Sequence, residues 1–388
     1  MGRRSSAVCF TPAAFETVMK FASLLLIASL SFAPQAFMGN ASLLAAPGEG
    51  AASAPQPLAG LQRAAQLVQS AQAAPDAATR NQQLTEARQL HDTFVRENPN
   101  HPETAQADMV LGMLLTVQGK GEVAAAVAAT EPAQQTAGIE QARKSLRESE
   151  RAFSAASDRL NARLDALPAF VPPGTPEHQT KEMLKGNVVQ ARIYHAGVVE
   201  ELAGTFPAGD PQGREFYQAA ADRYESIYRD YRLLIAGLMA RLKQGQCYRN
   251  LGDTKRALGL YSDLIEQPAD LEPLRRLRVS AMYLSLDAWT SPEEKLYELA
   301  LSQGENFLLG CKPEETAWPE WQAVRYHTAR GYLLAVNGLK PEQTAERAEY
   351  LQHARGHAAA LAEAAGPYQA AARALVAQAE AAGAAKSP

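Results

Sequence analysis

The clearest alternation of apolar and polar positions lies between Leu238 and Pro268, LMARLKQGQCYRNLGDTKRALGLYSDLIEQP. Apolar or small residues recur there at the spacing of a helix face, break at Leu251-Gly252-Asp253, and resume until Pro268. The spacing predicts a helix, a tight turn and a second helix. Similar pairs flank it. Upstream, Ala220 and Tyr224 stand one period before Ala257 and Tyr261 and predict a helix over 216–231. Its partner is predicted over 182–202, where Ala191 and Tyr194 repeat the same step from a small residue to an aromatic one. Downstream, Leu277, Ser280 and Tyr283 follow Leu242, Gly245 and Tyr248 at about 35 residues. Pro292 is read as opening the second helix of that pair, which reaches Leu309, and a further pair runs from Glu320 through Ala329 and Tyr332 and then from Pro341 to Ala365.

The first half carries the same pattern more faintly. Ala87, Phe94 and Pro99 read as a second helix and its closing proline, followed by a first helix that carries Leu111-Gly112 and ends at Gly119. A long helix is predicted over 139–167, then a breaker, VPPGTPEHQ, from Val171 to Gln179. The whole is expected to be all-α. Alanine, leucine, glutamine, glutamate and arginine dominate the composition, and runs of alternating β-branched residues are missing. A chain of 388 residues exceeds one ordinary core, which a repeat array accommodates.

In the pair at 238–268, a small residue at Gly245, an aromatic at Tyr248, Ala257, Tyr261 and a final Pro268 resemble the tetratricopeptide repeat pattern, of an exported bacterial type. Arg241 stands where that pattern has an early tryptophan, and the proline comes about one residue early. The small residues let two helices approach closely, and the aromatics fill the space between neighbouring pairs. The resemblance implies a right-handed α-solenoid whose first helices line a groove. The groove positions it assigns are Met239, Leu242, Gln246, Arg249 and Asn250, with Arg192 and His195 one repeat earlier and Ala281, Leu284 and Ser285 one repeat later. Such a mixture suits an extended peptide or a partner helix, so a protein partner is expected. Arg249 and Asn250 also fit a simpler role, capping and solvating a helix end.

The N-terminus changes the picture of where the chain works. Lys20 precedes twelve apolar or small residues, Phe21 to Phe32, with Arg3 and Arg4 farther upstream. This reads as a signal peptide, or as an uncleaved anchor that would be the chain's link to a membrane; Met19 offers an alternative start. The organisation expected is a signal or anchor segment at 1–46, a linker at 47–57, divergent helical repeats at 58–180, a repeat array at 181–365, and an Ala-rich capping helix with a frayed tail at 366–388.

The net charge of -4, with scattered basic residues, leaves no footprint for nucleic acid. With Cys9 in the leader, Cys247 and Cys311 remain, and their pairing is left open. Candidate chemistry is sparse. Gly112 to Gly121, GMLLTVQGKG, lacks the spacing and the Ser or Thr of a phosphate loop, so Gly119 is read as ending a helix. His353 and His357, in HARGH, have the spacing at which two imidazoles can share a metal ion, yet no glutamate follows the first and no third ligand is evident nearby. They are read as exposed helix histidines. The pairs Glu200-Glu201, Glu293-Glu294 and Glu314-Glu315 are read as solvated charge, and Trp318 and Trp321 as packing for the next pair or as a peptide-gripping patch.

No Gly-x-Ser-x-Gly elbow occurs, and neither Cys247 nor Cys311 has a histidine within its own helix pair. The expectation is therefore a non-enzymatic scaffold or adaptor, without cofactor or metal, exported to a periplasm or beyond and working in envelope assembly. A helical-repeat enzyme acting on cell-wall glycan and a self-associating structural protein are the alternatives.

Overall fold

The computed structural model describes residues 56–268 and 270–384, which form thirteen α-helices and no strand. The leader, Cys9 and the linker up to residue 55 lie outside the described residues, as does the tail from residue 385. The chain divides into two compact units, the first ending at Phe216 and the second starting at Tyr217.

The first unit holds α1 (Gln56–Gln72), α2 (Ala77–Glu97), α3 (Thr104–Ala128), α4 (Pro132–Asp165) and α5 (Pro176–Gly204), and α6 (Pro211–Tyr231) runs across the boundary. Each of α1 to α4 packs on the next helix, and α1, α3 and α5 also touch in sequence, which is the layering of a solenoid-like stack. Leu61, Leu67, Leu84, Phe94, Val110 and Leu114 are among the side chains of its core. The helix starts follow local chemistry: Asp76 caps α2 by accepting from the Thr79 N–H at 2.8 Å, and Thr175, followed by Pro176, caps α5.

Gly119 does not end a helix, contrary to the sequence reading: α3 continues to Ala128. A Cβ at Gly119 would lie 2.9 Å from Leu146 Cγ, and one at Gly112 would lie 2.7 Å from the Phe153 ring. Both glycines therefore admit α4 side chains against the α3 backbone. Beside them Ser149 Oγ donates to the Gly112 carbonyl at 2.7 Å. By length and composition α3 could cross a membrane, but the same properties suit a core helix, and here it buries Met109, Leu114, Leu115 and Val117 inside the unit.

The second unit continues with α7 (Ile235–Asn250), α8 (Thr254–Ile265), α9 (Glu272–Trp289), α10 (Tyr297–Leu308), α11 (Pro319–Val336), α12 (Thr344–Glu363) and α13 (Gln369–Ala384). Consecutive helices pack on one another, while α7, α9, α11 and α13 touch in turn to make one layer. The turn between α7 and α8 forms as the sequence predicts. Gly252 takes a positive φ of 82°, the Asp253 N–H reaches the Tyr248 carbonyl at 2.9 Å, and the Asp253 carboxylate accepts from the Arg256 N–H. Gly245, Tyr248, Ala257 and Tyr261 are all buried, and a Cβ on Gly245 would collide with the Tyr261 ring.

Pro292 does not open α10. It lies in a turn closed by the Leu296 N–H on the Trp289 carbonyl at 2.8 Å, with Lys295 at a φ of 52°, and the helix starts only at Tyr297. The loop after α10 is held by Glu315, which is not solvated charge but 3% exposed. Arg275 grips both its carboxylate oxygens, Nη2 to Oε2 at 2.7 Å, and also donates to the Gly310 carbonyl. Glu201 likewise is largely buried and lies 3.7 Å from Lys120.

Candidate functional site

The groove positions assigned from the sequence divide between the two units. In the first, Arg192 and His195 are half-buried on α5, with His195 Nε2 3.6 Å from Glu150 Oε1 on α4. In the second, Met239, Gln246 and Arg249 are half-buried on α7 and Asn250 is exposed. Leu242 is only 5% exposed and serves the core, as do Ala281 and Ser285. Arg249 donates to Thr254 Oγ1 at 3.4 Å, at the start of α8. Gln246 Oε1 and Arg249 Nε are among the enclosed side-chain atoms that have no hydrogen-bond partner among the described residues.

The α9–α11 contact carries a second polar group that the sequence reading missed. Arg330 donates to Asp287 Oδ1 at 3.0 Å, and His327 Nδ1 lies 3.6 Å from the same oxygen. Tyr283 stacks on the His327 ring at 5.9 Å, and Tyr326 meets that ring edge-on. Burial pushes His327 down to about 4, against the pull of Asp287, so the imidazole is neutral near pH 7. Nearby, Trp321 packs on Phe307 inside the core, and Arg276 lies over the Trp318 ring at 4.1 Å while pairing with Glu320. Trp321 therefore serves packing, and Trp318 is half-buried against the same core.

Among the described residues, a cluster of metal-ligating groups gathers where α10, α11 and α12 meet. His353 and His357 share a face of α12, and the third group is Glu305 of α10. His357 Nε2 lies 2.8 Å from Glu305 Oε1, and His353 Nδ1 lies 3.6 Å from it. Tyr332 of α11 donates its O–H to that same oxygen at 2.9 Å. Its ring stacks near-parallel to both imidazoles, at 4.9 Å and 16° for His353 and at 6.3 Å and 14° for His357. Burial raises the Glu305 carboxyl, but the hydrogen bond and charge of His357, with Tyr332, outweigh it and hold the group below the usual carboxylate range. The Tyr332 phenol is pushed up by burial and by the carboxylate it faces. His357 is thus partly buried and partnered, not the exposed helix histidine expected. Glu305 left no signal around HARGH, because it comes from the preceding helix pair.

In the first unit, burial raises the Asp108 carboxyl despite Arg159 at 2.9 Å. Cys247 is buried and Cys311 is half-buried, and the two are not joined by a disulfide. Cys311 lines a cavity of about 510 Å³ with Leu308, Trp321, Arg325 and Leu361. These helices and clusters define an all-helical, solenoid-like repeat protein. Comparison with protein-family models and with curated proteins finds no match to this chain.

Proposed function

We propose that the chain is an exported scaffold or adaptor of tetratricopeptide-like repeats, coiled in a right-handed sense, that holds a protein partner along its first helices. The reading is carried by α7: Gln246 and Arg249 are half-buried, and among the described residues Gln246 Oε1 and Arg249 Nε have no hydrogen-bond partner. A rotamer change would turn these atoms outward, and an extended peptide or helix supplies the carbonyl and amide groups that satisfy them. Support for the repeat type comes from the close approach of Gly245 to Tyr261, with Tyr248 and Ala257 buried beside them.

Export rests on Lys20 and the apolar run from Phe21 to Phe32. A role in envelope assembly follows from analogy with exported repeat proteins and from the compartment that export implies. The test is to crosslink intact host cells expressing the tagged full chain and to compare wild type with a Gln246→Ala, Arg249→Ala, Asn250→Ala variant of unchanged helicity. A specific partner retained by wild type and lost from the variant is expected. The same partners with both would remove the groove from the account.

A further inference from the structure

We propose that Glu305, His353 and His357 form a binding site for one borderline divalent transition metal ion, zinc(II) foremost. The three ligand atoms lie within 4.8 Å of one another. Zinc bonds of about 2.0–2.2 Å in tetrahedral geometry place donor atoms roughly 3.3–3.5 Å apart. His353 Nδ1 and Glu305 Oε1, at 3.6 Å, lie close to that separation, the His357 contact of 2.8 Å opens by about half an ångström on binding, and the two imidazole nitrogens lie within 4.8 Å of each other.

The surroundings are those of a built site. Tyr332 holds the carboxylate through its O–H and holds both imidazole planes by stacking, so all three ligands are oriented by a single residue from the helix between them. Outer hydrogen bonds of this kind fix ligand orientation and raise metal affinity. Two imidazoles with one carboxylate favour zinc, cobalt, nickel or copper over calcium and magnesium, which prefer all-oxygen shells. Glu305 and His353 are each roughly two-fifths exposed, so the fourth coordination position faces water. An ion bound here joins α10 to α12 and stabilises the folded second unit by mass action.

The test uses the untagged full chain, stripped with chelator and titrated with zinc chloride by calorimetry. One saturable equivalent is expected, with a rise in melting temperature. A His353→Gln, His357→Gln variant should bind at least a hundredfold more weakly, and Tyr332→Phe roughly tenfold more weakly. Unchanged far-UV dichroism without metal keeps loss of fold apart from loss of ligands. If the double variant fails to fold, zinc-edge X-ray absorption on wild type decides the matter: two imidazoles and one carboxylate support the site, and any other protein ligand set overturns it. Absence of a saturable equivalent in wild type, or equal affinity in the folded double variant, overturns it too.

Discussion

Gly245 and Gly259 belong to one helix pair yet answer to opposite constraints. A methyl group at Gly245 meets the buried Tyr261 ring, whereas at Gly259 it meets nothing within 4 Å. Gly245→Ala should therefore cost about 1–3 kcal/mol through overpacking, and Gly259→Ala should gain about 0.5–1 kcal/mol from helix propensity. Urea denaturation of the two variants checks both signs. His327 supplies a pH test. Its folded value of about 4 lies below the ordinary 6.5, so the unfolded chain takes up a proton that the folded chain refuses. Stability should fall as pH drops from 6.5 to about 4, by on the order of 3 kcal/mol. His327→Phe, which keeps a ring against Tyr283 while Asp287 and Arg330 stay in place, should flatten the stability profile in that window. The repeat-defining residues were legible because small and aromatic side chains recur at fixed intervals. Glu305 was not, since a ligand set drawn from two helix pairs leaves no local pattern around HARGH.

At the scale of elements, turns with their own chemistry were readable and multipurpose residues were not. Leu251-Gly252-Asp253 combines a left-handed glycine with a capping aspartate, and both act as such. Gly119 could end a helix or admit a neighbour, and only the position of Leu146 decides for the second. Pro292 could open a helix or sit in a turn, and the Trp289 carbonyl decides for the turn. The loop from α10 to α11 depends on a charge that the sequence suggested was solvated. Glu315→Ala leaves Arg275 without its carboxylate, and because Arg275 still reaches water the cost should be about 2–3 kcal/mol, below that of a fully buried pair. Burial raises the Glu315 carboxyl, but Arg275 overcomes this and holds it below the usual range. The pair's contribution is therefore present above the unfolded value and lost as pH falls through the folded one. The stability gap between wild type and Glu315→Ala should narrow in acid, and amide exchange at 309–318 should quicken in the variant near neutral pH.

For the whole molecule, the sequence pattern was enough for an all-helical stack because each pair repeats one packing problem: a small residue on one helix admits an aromatic or aliphatic side chain from the next. The same solution recurs in both units, as Gly112 with Phe153 and as Gly245 with Tyr261. What the proposed partner would touch depends on surface residues that no repeat constraint governs, so it has to be sought by contact. The most direct measurement places a photo-crosslinking amino acid at Asn250, exposed at the end of α7, and separately at Gly259, exposed on α8. A discrete adduct with one protein partner is expected from Asn250 and none from Gly259; adducts of equal yield from both, or from Gly259 alone, would contradict docking along α7.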